Sequence, residues 1–303
     1  MASSLGRTDA RPLARPWSMA QRFAKREAAV RRRRVSPSLA IGALLTLAML
    51  IAALTAPWLA PYAPDQVMTG ERLAPPSLAH PFGVDMLGRD MLSRVWHGAR
   101  LAVYMVIVSL TIATMCGISL GLLAGYYGGW TDQLLSRAMD VWLAFPGLLL
   151  AVVVVARLGP TLDNAMLALG LMSAPGFYRL TRTLTLSARR TAYVEAARAM
   201  GVSDVAIMLR HILPNISSSL IVLATSRAGM LILAGGSLSF VGLGAQPPQP
   251  EWGALLATGR NYLDSAPWLA IYPGLCLTLA VIGLNLLGDG LRDALDPRNG
   301  WEK

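Results

Sequence analysis

Ser38–Ala60 carries no charged side chain, and apolar segments recur along most of the chain behind it. At about 1.5 Å per residue such a run spans the roughly 30 Å of hydrocarbon in a bilayer. Hydrocarbon offers no partner for a free backbone N–H or C=O, so each run must satisfy its own as a helix. The chain is 54% hydrophobic and 15% charged, against about 25% charged residues in soluble proteins. Because the excess comes in long blocks, it marks a polytopic helical membrane protein and excludes one large soluble core. Trp58 and Tyr62 suit an interface, and Pro57, Pro61 and Pro64 stop the first helix.

Five further membrane helices are expected at Leu101–Ala124, Leu134–Val155, Leu162 to about Tyr178, Ile216–Phe240 and Trp268 to about Leu287. Pro146-Gly147 predicts a kink in the third, and Pro175-Gly176 an interruption in the fourth. Gly117, Gly121, Gly125 and Gly129 recur every four residues, the spacing that lets a neighbouring helix approach one face closely. Between the first two helices, Asp85, Arg89 and Asp90 are placed to form an ion-pair set around glycine turns, and Met86–Trp96 reads as an amphipathic stretch on the bilayer surface.

Charge sets the orientation. The net charge is +10, yet residues 1–37 hold ten Lys/Arg against Asp9 and Glu27. With six helices and this tail inside, inner segments hold 20 basic residues and outer ones 4, the positive-inside bias that puts both termini in the cytoplasm. A basic chain raises the question of nucleic acid, but no aromatic-interleaved basic face supports it. Cys116 and Cys276 lie far apart in apolar segments with no CxxC spacing, as packing residues do.

Enzymatic chemistry has nothing to stand on. Lys25 and Lys303 are the only lysines and neither follows a glycine run, so there is no P-loop; GxSxG and HExxH are absent, and His80, His97 and His211 are scattered. No cofactor or metal is expected. Charged or polar residues at membrane depth are the remaining candidates: Arg227 in the fifth helix, Asp140 in the third and Asn285 in the sixth. They line a translocation path, with Arg227 attracting a substrate carboxylate, or they are buried struts.

Residues 191–215 are too polar for hydrocarbon yet sit between apolar segments. Helix-forming Tyr193–Met200, a break at Gly201 and Ser203 as a cap predict helix–turn–helix, with Pro214 in the first turn of the next membrane helix. Alone, the pattern reads as a solvated linker or as a docking surface. Glu195-Ala196-Ala197, Gly201 and Leu213-Pro214 resemble the EAA loop of bacterial ABC importer permeases, with His211 where that family most often has Ile. The segment His80–Arg94, the stretch Leu238–Gly253 and the end Asn285–Pro297 are similar to the C-type permease of dipeptide/oligopeptide/nickel importers, so the resemblance covers residues 38–298.

The resemblance implies an all-α, methionine-permease-like bundle with an added N-terminal helix. It divides the chain into a basic cytoplasmic tail (1–37), a first helix with a periplasmic segment (38–98), a permease core (99–290) and a cytoplasmic end (291–303). The implied partners are a second homologous permease, two ATP-binding subunits and a periplasmic or lipid-anchored solute-binding protein, in the bacterial inner membrane. The implied cargo is a peptide, with nickel or glutathione as alternatives. A stand-alone secondary transporter remains the competing class, and would need no loop of this kind.

Overall fold

The computed structural model describes residues 36–295; residues 1–35 of the basic tail, and residues 296–303 at the other end, lie outside them. The described chain is helical, with one isolated antiparallel bridge between Val84 and Asp90. Its elements are α1 (Pro37–Leu59), α2 (Met91–Tyr127), α3 (Gly129–Leu143), α4 (Gly147–Leu158), α5 (Leu162–Ala188), α6 (Ala192–Ala199), α7 (Asp204–Phe240), α8 (Trp252–Gly259) and α9 (Trp268–Leu295). Among the described residues four helices are long and apolar enough to cross a membrane (α1, α2, α7 and α9), or five if the bent pair α3–α4 is one span. α5 has the length, at 27 residues, but carries Asp163, Arg179 and Arg182.

Each boundary has a local cause. Ser36 opens α1 by accepting the Leu39 N–H at 3.2 Å, with Pro37 at the first helical position. The buried residues of α1 (Gly42, Thr46, Met49, Ala53, Ala56) alternate four and three apart, so one stripe meets the bundle while Leu44, Ile51 and Leu54 stay exposed. That stripe lies against α9 so closely that a Cβ at Gly290 would lie 2.5 Å from the Leu39 side chain, and one at Gly283 2.7 Å from Leu45.

α2 is longer than expected, 37 residues instead of Leu101–Ala124, and begins at Met91. Met86–Trp96 is therefore not a surface helix: Met91, Ser93, Arg94 and Val95 are buried. The residues read as polar are neutralised locally. Asp90 caps the helix, accepting the Ser93 N–H at 2.7 Å, and its other oxygen meets His80 Nδ1 at 2.9 Å. Asp85 accepts from Arg89 Nε at 2.6 Å and from the N–H groups of Leu87 and Arg89, with Arg94 Nε 3.7 Å away. The expected ion-pair set thus exists around Asp85, but Asp90 serves His80 and the helix end, and His80 is buried.

The glycine spacing describes the α2–α5 seam. A Cβ at Gly121 or Gly125 would fall 2.7 Å from the Cβ of Thr181 or Thr185, and one at Gly117 2.6 Å from that of Phe177. Gly129 meets nothing within 4 Å, so the fourth glycine belongs to the turn. α5 runs unbroken through Pro175 to Ala188, past the expected end near Tyr178. In a packed bundle neighbouring helices hold a proline-containing helix together. The kink expected at Pro146-Gly147 is instead an 86° bend between α3 and α4.

α8 was not foreseen. Glu251 caps it, accepting the Ala254 N–H at 3.0 Å, and burial pushes the Glu251 carboxyl above its ordinary range. Trp252 Nε1 donates to the Val95 carbonyl at 2.9 Å, tying α8 to the start of α2. A second tie, Trp268 Nε1 to the Val84 carbonyl at 3.4 Å, and the Phe82–Tyr272 ring stack join the 62–90 segment to α9.

Candidate functional site

The stretch 191–215 folds as the expected helix–turn–helix. α6 closes at Gly201, which sits at φ 77°. The Gly201 N–H donates to the Arg198 carbonyl at 3.0 Å and the Val202 N–H to the Ala197 carbonyl at 3.1 Å, the paired bonds of a Schellman closure. A Cβ at 201 would meet nothing within 4 Å, so glycine is there for its backbone angle alone. Ser203 precedes the next helical turn in an extended conformation but makes no side-chain capping bond. The chain then passes through a π-helical segment, Ile207–Ile212, into Leu213–Phe240. The wider turn accommodates Pro214, which cannot donate to the residue four back.

One face of this unit is anchored. Val194, Ala197, Ile207, Met208, Ile212 and Ile216 pack with Leu122, Tyr126 and Ala188 from the ends of α2 and α5. The Tyr126 hydroxyl donates to Asp204 Oδ1 at 2.6 Å, the Arg198 guanidinium lies 5.3 Å over its ring, and Arg189 Nη1 donates to its carbonyl at 3.0 Å. The opposite face is free. Glu195, Ala196 and Gly201 are exposed, as are the apolar side chains of Tyr193, Met200 (75%), Val205 (60%) and Leu209. Of the sequence-predicted residues, Ala197 belongs to the anchor, Leu213 is half-buried beside it, and Pro214 is exposed. The result is a rigidly held ledge with an apolar outer surface and a charged rim, suited to docking against another protein.

The three residues considered for a path do not converge. Asp140 accepts from Arg179 Nη2 at 3.3 Å across α3 and α5. Arg227 is half-buried and packs over Gly176 of α5, where a Cβ would lie 3.0 Å from Nη2; among the described residues no carboxylate pairs with it. Asn285 faces Gly229, which at 100° per residue is on the far side of α7 from Arg227. Asp140 and Arg227 therefore border α5, and Asn285 lies in the α7–α9 seam.

The sequence reading missed how α3 is held. None of its residues is buried. Asp132, Ser136 and Asp140, spaced four apart on one face, meet α5 through Arg182, Tyr178 and Arg179: a bidentate Asp132–Arg182 pair, a Ser136–Tyr178 hydroxyl contact at 2.9 Å and the Asp140–Arg179 pair. The i, i+4, i+8 spacing was the available signal.

The bundle of apolar helices thus presents one anchored helix–turn–helix with an exposed outer face. Residues 117–300 match the family described as binding-protein-dependent transport system inner membrane component, and the chain belongs to it. It is 48% identical over 269 residues to the glutathione transport system permease protein GsiD of Pectobacterium atrosepticum, covering 88% of this chain and 89% of that one. It is 43% identical over 258 residues to the dipeptide transport system permease protein DppC of Alkalihalophilus pseudofirmus, covering 85% of each. In fold it is similar to a chain of the inward-facing MetNI methionine ABC transporter, with a TM-score of 0.54 at 20% identity, over 68% of this chain and 98% of that one. The protein is thus the permease subunit of an ABC importer, which acts in a membrane with ATPase and solute-binding subunits; it is not an enzyme, and ATP hydrolysis belongs to another polypeptide.

Proposed function

We propose that this permease carries peptides, or glutathione as a peptide-like solute, through the inner membrane of a bacterium, paired with a homologous permease and two ATP-binding subunits. The single observation that carries the coupling half of this reading is the ledge at 191–215, anchored through Tyr126 and the Gly201 closure and free on its outer face. The cargo half rests on the glutathione and dipeptide relatives at 48% and 43% identity.

In this reading α3–α4 and α5 complete a six-helix core, the basic tail (1–37) and the end (291–303) are cytoplasmic, and residues 61–90 are periplasmic. Glu195, Ala196, Ala197 and Gly201 form the coupling helix and its closure, with Leu213 and Pro214 leading back into the membrane. Closure of the ATPase dimer drives the paired ledges together, and α5 and α7, which flank the ledge, carry the motion to the helices around Asp140, Arg227 and Asn285. Two states biased by nucleotide at one end and solute at the other suffice for transport.

The test is uptake of labelled dialanine and glutathione by vesicles holding the full assembly and its solute-binding protein. ATP-dependent accumulation of either is expected. Accumulation of neither defeats the peptide reading, and accumulation by the permease without the ATPase favours a secondary transporter.

A further inference from the structure

α3 and α5 border an open cleft of about 340 Å³ lined by Ser136, Asp140, Tyr178, Arg179, Arg182 and Thr183. A volume of this size falls in the range of small-molecule sites. Five of its six lining side chains are Ser, Thr, Asp or Arg, and the sixth is Tyr178. Its two arginines meet Asp140 in the lining and Asp132 beside it, so the charges balance.

Its two ionic pairs differ in kind. Arg182 grips Asp132 with both nitrogens, and the two side chains are 32% and 17% exposed, so this pair holds the helices together. Arg179 and Asp140 meet through one contact at 3.3 Å, with side chains 60% and 69% exposed. A pair so exposed to solvent contributes little, so a ligand bearing both charges replaces it at little cost and gives each side chain an opposite partner. We propose that this cleft is a subsite for a zwitterionic peptide-type solute, Arg179 taking a free carboxylate and Asp140 a free ammonium, with the Ser136 and Thr183 hydroxyls beside them.

The proposal rests on the peptide reading above and deepens it. Position adds to the argument: Arg182 lies six residues before the end of α5 at Ala188, about 9 Å at 1.5 Å per residue. The subsite is therefore built on the same helix that anchors the coupling ledge.

Saturation-transfer NMR on the purified permease–ATPase assembly, without solute-binding protein, tests it with dialanine, dialanine amide and N-acetyl-dialanine at millimolar concentration. Dialanine is expected to bind, and the two blocked forms to bind about tenfold more weakly, each lacking one charge-assisted hydrogen bond. Arg179→Gln should lower dialanine affinity about tenfold and abolish the penalty for the amide while retaining that for the acetylated form. Asp140→Asn should do the reverse. Arg179→Lys, which keeps the charge, should retain most of the discrimination. No binding by the wild-type assembly, or variants that weaken all three probes equally, would overturn the subsite. Either result leaves the vesicle uptake assay to judge the peptide reading separately.

Discussion

Gly201→Pro is expected to leave the chain inserted in the membrane and assembled, but to reduce ATP-driven uptake to below about a tenth of wild type. Proline fixes φ near −65° and has no N–H, whereas Gly201 sits at φ 77° and donates to the Arg198 carbonyl. The substitution therefore opens the closure of α6 and misdirects the chain between the ledge and α7. It leaves the membrane helices alone, since the side chain at 201 has no neighbour within 4 Å. Gly201→Ala separates the two demands. It keeps the N–H and meets no clash, so it carries only the left-handed strain of about 1–2 kcal/mol, and most of the uptake should survive. Uptake per assembled complex, with ATP hydrolysis measured alongside, reads both. Equal activity in the proline and alanine variants would show that the closure is dispensable.

The second large effect lies at the other end of α2. Asp85→Ala removes the acceptor for Arg89 Nε and for the Leu87 and Arg89 N–H groups, and the nearest carboxylate to Arg94. The side chains of Asp85, Arg89 and Arg94 are only 5–8% exposed, so the two arginines are left as uncompensated buried charges. Breaking such a set costs about 3–5 kcal/mol. The loss should appear as a lowered unfolding midpoint of the detergent-purified protein. Asp85→Asn, which keeps an acceptor oxygen but not the charge, should fall between. A loss under about 1 kcal/mol in the alanine variant would mean that water or lipid headgroups reach the arginines.

These two sites show what the residues announced and what they hid. Of the six apolar runs, four located the long apolar helices α1, α2, α7 and α9, and the four-residue glycine spacing located the α2–α5 seam, because both depend on local composition alone. Gly201 was equally legible: a glycine after a helix-forming run signals a left-handed closure. The start of α2 was not, because Arg94 reads as polar until Asp85 folds back beside it, and Asp90 as a loop charge until it caps the helix at Ser93. The size of the bend at Pro146-Gly147 and the continuity of α5 through Pro175 depend on how adjacent helices pack, which no local signal carries. The α3–α5 contacts were hidden for a different reason. Asp132, Ser136 and Asp140 share a face by spacing, but their arginine and tyrosine partners lie about 40–50 residues away.

The central claim is that the outer face of residues 191–215 docks on an ATP-binding subunit. A photo-crosslinking residue at Met200, exposed on the ledge, tests it directly in the intact membrane, with Leu44 of α1, exposed on the opposite kind of surface, as the comparison. The account predicts an adduct between position 200 and an ATP-binding subunit, and none from position 44. Adducts from position 200 to lipid or to the solute-binding protein alone, with the ATPase absent, would contradict it.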